Sequence, residues 1–521
     1  MAVLSVVSCT RTSGVVERVA ILPANLLVSD PASEWLKIGV PVVLQHDLMT
    51  ARTLIPGFAA DEVGAIQGGA TRILRTSIES RQGGLHVEAT LVDAATHKVV
   101  RVESADASSA SVLLPAMNAL AKKIDPAAVD FSTKSQQAWQ TFATAESSNN
   151  AQQRFQFLNQ ALGQDQSFGA AAVGAIAMIA PNRQTDYKSV IDQVKAHRSS
   201  FTPFDRAKLD IAMNRLSNAP PEDQIKVTKE ALALAPNDLE VLTTLGNYQI
   251  LQGDGAGGEQ SLRRAAELNS SNVGLRVELA RGLVRLRKFK EADAIYSAIN
   301  NTPAIYPELA TCVLLEGDKA RAVTVAEKFI GSVQNEEVRP LLRAAWQVMS
   351  GDRQKGIDLA LTTQFSHPDL HSLALSEVTM WQLMGGDFAG AQKTVSTLSQ
   401  MAGPGVELPV ITGLFADKTS TVAEWQQKVQ SMPVADAIKV PILAYGLFLR
   451  GNFDDAVKVW QKVSDDTHGT DLHARAMLAS ALDHSGKKSD AQRINVLPFT
   501  PEFTDLYSAI SFTEMRRMLS K

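Results

Sequence analysis

Between residues 71 and 104 apolar and polar positions trade places in three short runs, TRILRTSIES, LHVEATLVD and KVVRVES, parted by RQGG and AATH. In the second run Leu85, Val87, Ala89 and Leu91 alternate with His86, Glu88 and Thr90. A period of two puts the apolar side chains on one face, so the segment predicts an antiparallel meander with one buried face and Gly-containing or small polar turns. Upstream, ERVAIL from Glu17 reads as a further strand, and PANLLVSDPASEW as a loop opening a helix, with Ser29, Asp30 and Pro31 as capping residues. That helix runs through Trp35, Ile38, Leu44 and Leu48, and Pro41 inside it is expected to kink it. An Ala- and Leu-rich helix over residues 109–124 closes the unit ahead of Asp125 and Pro126.

Downstream the period lengthens. Ala212, Gly246 and Ala280 stand 34 apart, Ala231, Ala265 and Ile299 follow them by 19, and Pro236 and Ser270, again 34 apart, fall where units end. Such a period is that of a helix–turn–helix unit whose second helix approaches the first closely at the small positions. RKFKEADAIYSAI, GGDFAGAQKTV and RGNFDDAVKVWQKV each give a turn, an aromatic and an alanine three residues on: Phe289 with Ala292, Phe388 with Ala391, Phe453 with Ala456. Ala322 in LEGDKARAVTVAEKF is a weaker instance, and the stretch from Ser135, with Trp139, Phe155, Ala161 and Leu162 at core-like places, reads as a degenerate first unit. We expect about eight to ten helical hairpins, each hiding its apolar stripe against its neighbours. The end from Asn495 departs from the pattern and is expected to cap the last hairpin through Phe499, Phe503, Leu506 and Phe512.

Two phrases carry a family resemblance. VAILPANLLVSDPASEWLKIGV and GATRILRTSIESRQGGLHVEATLVDAATHKVV resemble the two halves of TolB amino-terminal-like domains, with Ala24 where an aromatic is usual and His97 where glycine is usual, both in loops. The period of 34 resembles tetratricopeptide repeats (TPR). Together these imply an α+β chain: a truncated lipoprotein-type signal remnant and tether at 1–16, a small TolB-like α/β domain at 17–126, an all-α tetratricopeptide-repeat superhelix at 132–492 and a capping segment at 493–521. The resemblance implies a domain outside the cytoplasm and brings no catalytic residues with it.

Composition changes this picture little. Across 521 residues, 45% are hydrophobic and 20% charged, the profile of a folded chain too long for one core. The net charge of -4 offers no global positive field for nucleic acid. Of the two cysteines, Cys312 lies in the apolar helical run ELATCVLLEGD and reads as a core thiol. Cys9 follows Val6, Val7 and Ser8 in a run that resembles the lipobox of bacterial lipoproteins, where such a cysteine is acylated. Eight residues precede it and none is basic, so this reading needs a start further upstream; the alternative is a frayed terminus with an incidental thiol.

Motifs for chemistry are sparse. GDGAGG at 253–258 follows a helix and lacks the Gly-Lys-Ser/Thr ending of a phosphate loop, so it reads as an inter-helix turn. His367 and His371 are four apart without a third ligand, Pro368 disfavours helix at His367, and no metal or cofactor is assigned. With Ala280 as the small position of its helix, tetratricopeptide geometry would point Arg281 and Arg285 into a concave groove, with Asn247 equivalent one repeat earlier. Arginine forks suit peptide carboxylates; the alternative is a solvated basic face neutralised by Glu278 and Glu291. The expectation is a non-enzymatic scaffold of a Gram-negative cell envelope, periplasmic or outer-membrane-associated, binding a protein or peptide in its concave face, with a membrane tether through lipidated Cys9. The alternative is a cytoplasmic regulatory module related to kinase- or cyclase-linked signalling proteins.

Overall fold

The computed structural model describes residues 16–494, apart from 29, 82–83, 110–111, 300–301 and 403–406. Cys9 and the expected cap residues Phe499, Phe503, Leu506 and Phe512 lie outside the described residues. Two compact units are present, one running to Tyr248 with Gln260–Leu275, the other comprising Gln249–Glu259 and the chain from Arg276.

The first unit opens with a six-stranded mixed sheet built from β1 (Glu17–Ile21), β2 (Asn25–Leu26), β3 (Leu54–Phe58), β4 (Arg72–Arg81), β5 (Gly84–Asp93) and β6 (Val99–Ala107), in the order β3-β1-β4-β5-β6 with β2 beside β4. β1 is parallel to both β3 and β4, and β4, β5 and β6 form the antiparallel meander. The crossovers are α1 (Leu36–Leu48) and α2 (Glu62–Gln67). β1 is therefore covered on both faces, which explains its unbroken apolar run: Val19 and Ile21 join the main core, while Ala20 packs with Ala65, Ile73 and Val92 on the α2 side. The buried face of the meander fades at β6, where Val99, Val100 and Val102 are exposed. His97, where the TolB-like pattern has glycine, takes the left-handed conformation that glycine would supply, φ 56°.

Pro41 sits inside α1 and is buried. Lacking an N–H, it leaves the carbonyl of Lys37 without its helical donor, and the N–H of Ala24 fills that place at 2.9 Å. The proline thus ties the β1–α1 loop to the helix. A short way along, Trp139 from α4 (Gln136–Ser147) donates its indole N–H to Gly39 O at 3.0 Å and meets Trp35 edge-on at 4.6 Å. A Cβ on Gly39 would lie 2.7 Å from the Trp35 ring, so only glycine fits there.

The sheet shares one core with the helices that follow: α3 (Leu113–Ile124), α4, α5 (Ala151–Gln164), α6 (Gly169–Ala177), α7 (Lys188–His197) and α8 (Pro203–Leu216). α9 (Pro221–Leu234) then forms a hairpin with α8. Buried between α1 and α8 lies an ionic cluster. His46 Nε2 is 3.0 Å from Asp205 Oδ1 and Nδ1 is 3.1 Å from Asp47 Oδ1, with Phe131 and Phe204 edge-on to the imidazole. Both ring nitrogens face carboxylates, which holds the doubly protonated ring. Burial alone would strip that proton, but Asp205 and then Asp47 outweigh it and push the His46 pKa up to about 10. Burial raises Asp47 to about 6 despite His46, whereas Asp205, although buried, is held below the usual range by His46 and Thr202.

The helices continue with α10 (Leu239–Gln252), α11 (Gly255–Leu268), α12 (Val273–Arg285), α13 (Phe289–Ser297), α14 (Tyr306–Glu316), α15 (Lys319–Ser332), α16 (Arg339–Met349), α17 (Arg353–Thr362), α18 (Pro368–Met384) and α19 (Phe388–Ala402). The last described are α20 (Glu407–Ala416), α21 (Val422–Gln430), α22 (Asp436–Leu449), α23 (Phe453–Asp466), α24 (Leu472–His484) and α25 (Lys488–Arg493). In the second unit α14/α15, α16/α17, α18/α19, α22/α23 and α24/α25 pack as hairpins. One turn recurs: a residue with positive φ two places before the second helix, at Gly253, Arg287, Gly317, Gly351, Gly386, Gly451 and Gly486. The next N–H then donates back over five residues, as in Asp318 to Val313 O at 3.2 Å and Lys288 to Leu283 O at 2.8 Å. GDGAGG is one of these turns. Three residues into the second helix stands a buried small residue, Ala292, Ala322, Gly356, Ala391, Ala456 or Ala491. Phe289, Phe388 and Phe453, expected to fill the space between hairpins, are half-buried.

Arg287 does with an L side chain what glycine does at the other six turns. Arg287→Gly should raise stability by about 1 kcal/mol, seen as a higher urea midpoint; an unchanged or lower midpoint would show that the turn is unstrained.

The buried cluster sets a pH window. His46 titrates near 6.5 unfolded and about 10 folded, so its contribution is complete below the lower value and lost as pH rises through the upper. Asp205 contributes above the ordinary carboxylate range and loses its effect as pH falls through its lowered folded value. Thermal unfolding should therefore show a midpoint falling between about pH 7 and pH 10. His46→Phe should flatten that slope and cost about 3 to 5 kcal/mol near pH 7 by leaving Asp205 charged and buried. A variant as stable as wild type, with the slope intact, would deny the cluster this role.

Candidate functional site

The three residues singled out for a peptide groove fall in different places. Asn247 lies half-buried on α10 in the first unit. Arg281 and Arg285 lie one turn apart on α12 in the second. Arg281 grips Glu308 of α14 with a fork, Nη2 to Oε1 at 2.5 Å and Nε to Oε2 at 3.1 Å, and its Nη1 reaches Glu278 at 2.6 Å. Glu308 is 3% exposed and also accepts from the Tyr296 hydroxyl at 2.9 Å. The hydrogen bonds from Arg281 to Glu308 raise the guanidinium pKa above its ordinary value. Arg285 is half-buried, and burial pushes its pKa down, with the neighbouring Arg281 adding to the effect. The fork that suited a peptide carboxylate is thus engaged with an acid of the chain itself, 27 residues further on.

Cys312 is buried on α14, its thiol pushed up to about 12 chiefly by burial, which makes it a poor nucleophile. His367 stands exposed at the start of α18, its Nδ1 2.5 Å from Glu337. Among the described residues no group of three His, Cys, Asp or Glu side chains converges as a metal site would require.

One concavity in the first unit lies between α3, the connector after Asp125 and α4. It has a volume of about 540 Å³. Its floor is Phe131 and the Trp139 ring, both buried; its rim carries Val112, 42% exposed, and Lys122, Asp130 and Lys134. Local hydrogen bonds fix the walls. Phe131 N–H donates to Asn118 Oδ1 at 3.3 Å, Thr133 Oγ1 donates to Asp165 at 2.5 Å, and Ser135 caps α4 by accepting from Ala138 N–H at 3.2 Å. Lys122 pairs with Asp130 at 2.5 Å, both ends exposed, so that pair is readily exchanged for another acid. An apolar floor with lysines on the rim suits an apolar side chain flanked by acidic residues.

No protein-family model matches the chain, and no curated protein is significantly similar to it. Among solved structures, a tetratricopeptide repeat protein from Parabacteroides merdae has 16% identity, covering 46% of this chain and 99% of its own, with a TM-score of 0.32. Human IFIT1, solved as a dimer with PPP-AAAA, has 13% identity over 68% of this chain and 87% of its own, at a TM-score of 0.29. The TPR domain of P58(IPK) has 12% identity over 65% and 98%, at 0.16. Scores this low carry no functional argument; the helical-repeat class rests on the recurring hairpin geometry described above.

Proposed function

We propose that this chain is a non-enzymatic scaffold that binds another protein or peptide, with a TolB-like sheet domain heading a tetratricopeptide array in a bacterial cell envelope. The observation that carries the binding role is the 540 Å³ groove with its aromatic floor and lysine rim. It fits a partner segment with an apolar anchor and acidic flanks, because the floor contributes desolvated area and Lys122 and Lys134 contribute charge complementarity. The repeat hairpins supply a rigid frame. The envelope location rests on the resemblances of the sheet domain and of Val6–Cys9, not on the fold.

Photo-crosslinking from Val112 in the full chain should trap one partner far more than crosslinking from exposed Lys458. The double variant Lys122→Glu, Lys134→Glu should weaken that complex about tenfold; equal yields from both positions would refute the groove. For location, Cys9→Ser, expressed with its native upstream region, should shift the protein from the membrane to the soluble fraction. Unchanged partitioning would remove the lipid anchor from this reading.

A further inference from the structure

The register of the hairpins has a second departure besides Arg287, at a buried place. Three residues into α9, where Ala292, Ala322, Gly356, Ala391, Ala456 and Ala491 stand in the second unit, the chain has Gln224. Its side chain is 1% exposed, and neither its amide oxygen nor its amide nitrogen has a hydrogen-bond partner in the protein. A small residue at this place lets the paired helices close; glutamine instead leaves a donor and an acceptor desolvated.

The amide lines a cavity of about 160 Å³ between α6, α8 and α10, walled on its apolar side by Val173, Ile211 and Val241. Five further polar residues line it: Thr244, Glu240, which pairs with Lys208, and the three that follow. Arg215, from α8, donates to the carbonyl of Ala177 at the end of α6 and has no carboxylate partner among the described residues. Tyr248, from α10, is half-buried, its pKa raised by burial and drawn back by nearby Arg215. Lys208 is already committed, 2.9 Å from Asp238 and 3.2 Å from Glu240. The spare charge of the cavity is therefore the guanidinium, and its spare hydrogen-bonding capacity is the Gln224 amide.

We propose that this cavity is a binding site for a small organic acid: a carboxylate that pairs with Arg215, carrying a hydroxyl or amide group that meets both halves of the Gln224 amide. A volume of this size holds a molecule of about benzene's bulk, which sets the limit at four or five carbons. The site is distinct from the groove proposed for the protein partner and does not depend on it. Occupancy would stabilise the first unit by linkage, since the ligand binds only where α6, α8 and α10 are assembled.

The test uses the full chain with lactate, malate and free glutamine as probes, each titrated to about 10 mM and followed by thermal unfolding and calorimetry. At least one probe should raise the unfolding midpoint and bind with a single-site isotherm. Arg215→Ala and Gln224→Ala should each weaken that binding about ten- to a hundredfold. Gln224→Ala should also unfold at a higher temperature than wild type without ligand, because it removes the desolvated amide and restores the small residue of the register. That rise distinguishes loss of a ligand contact from loss of folding. Binding of none of the three probes overturns the proposal, as does a crystal structure in the presence of malate that places only water on the Gln224 amide. Equal binding by wild type and Gln224→Ala would do the same.

Discussion

Two antiparallel helices approach each other most closely where one of them presents almost no side chain, and the second unit places such a residue at one register position. Each hairpin turn places a left-handed residue two before the second helix, and this sets the phase in which a buried Ala or Gly faces the first helix three residues later. Turn and small residue are one device. The five-residue back hydrogen bond closes the first helix, and the small residue lets the second lie against it. Stability then accrues between neighbours, which is why the array tolerates an exposed arginine at one turn: its strain is local and about 1 kcal/mol.

The sheet meets a different constraint, that of joining a helical stack without losing backbone hydrogen bonds. Pro41 would ordinarily break α1, yet the carbonyl it orphans is filled from the β1–α1 loop by Ala24. A tertiary hydrogen bond thus stands in for the missing helical one. Trp139 on Gly39 and the His46 cluster on Asp205 then link α1 to α4 and to α8. A buried imidazolium between two carboxylates is an expensive way to join two elements compared with apolar packing. What it gains is directionality, since both ring nitrogens must point at a carboxylate and only one helix orientation allows this.

The strands of the meander and the period of 34 were legible because each rests on repetition, which a single chain displays in itself. The α3 helix and the strand from Glu17 were legible as well. β3 and α2 were not: LIPGF carries a proline and a glycine, and its strand character comes from pairing with β1 rather than from its own residues. α2 spans six residues, too few for a helical period to register. The second small core beneath β1 was hidden because Ala65 lies on that short helix and Val92, though on β5, falls out of phase with the alternation read along that strand. The arginines of α12 show the limit for sites. Arg281 offers a fork to any carboxylate in reach, and whether that acid belongs to a guest or to Glu308 depends on how α12 and α14 pack.

Departures from a repeat are therefore more informative than agreements, provided that burial is known. Arg287 and Gln224 both break the register, and from sequence alone they look equivalent. Arg287 is exposed, water satisfies its guanidinium, and the whole cost lies in the backbone. Gln224 is sealed, so its backbone is ordinary and the whole cost lies in two unpaired polar groups, about 1 to 3 kcal/mol each. A turn can absorb the first in any hairpin. The second lies beside a polar cavity of about 160 Å³, so it is offset only by what enters that cavity and pairs with both halves of the amide, water or the proposed ligand.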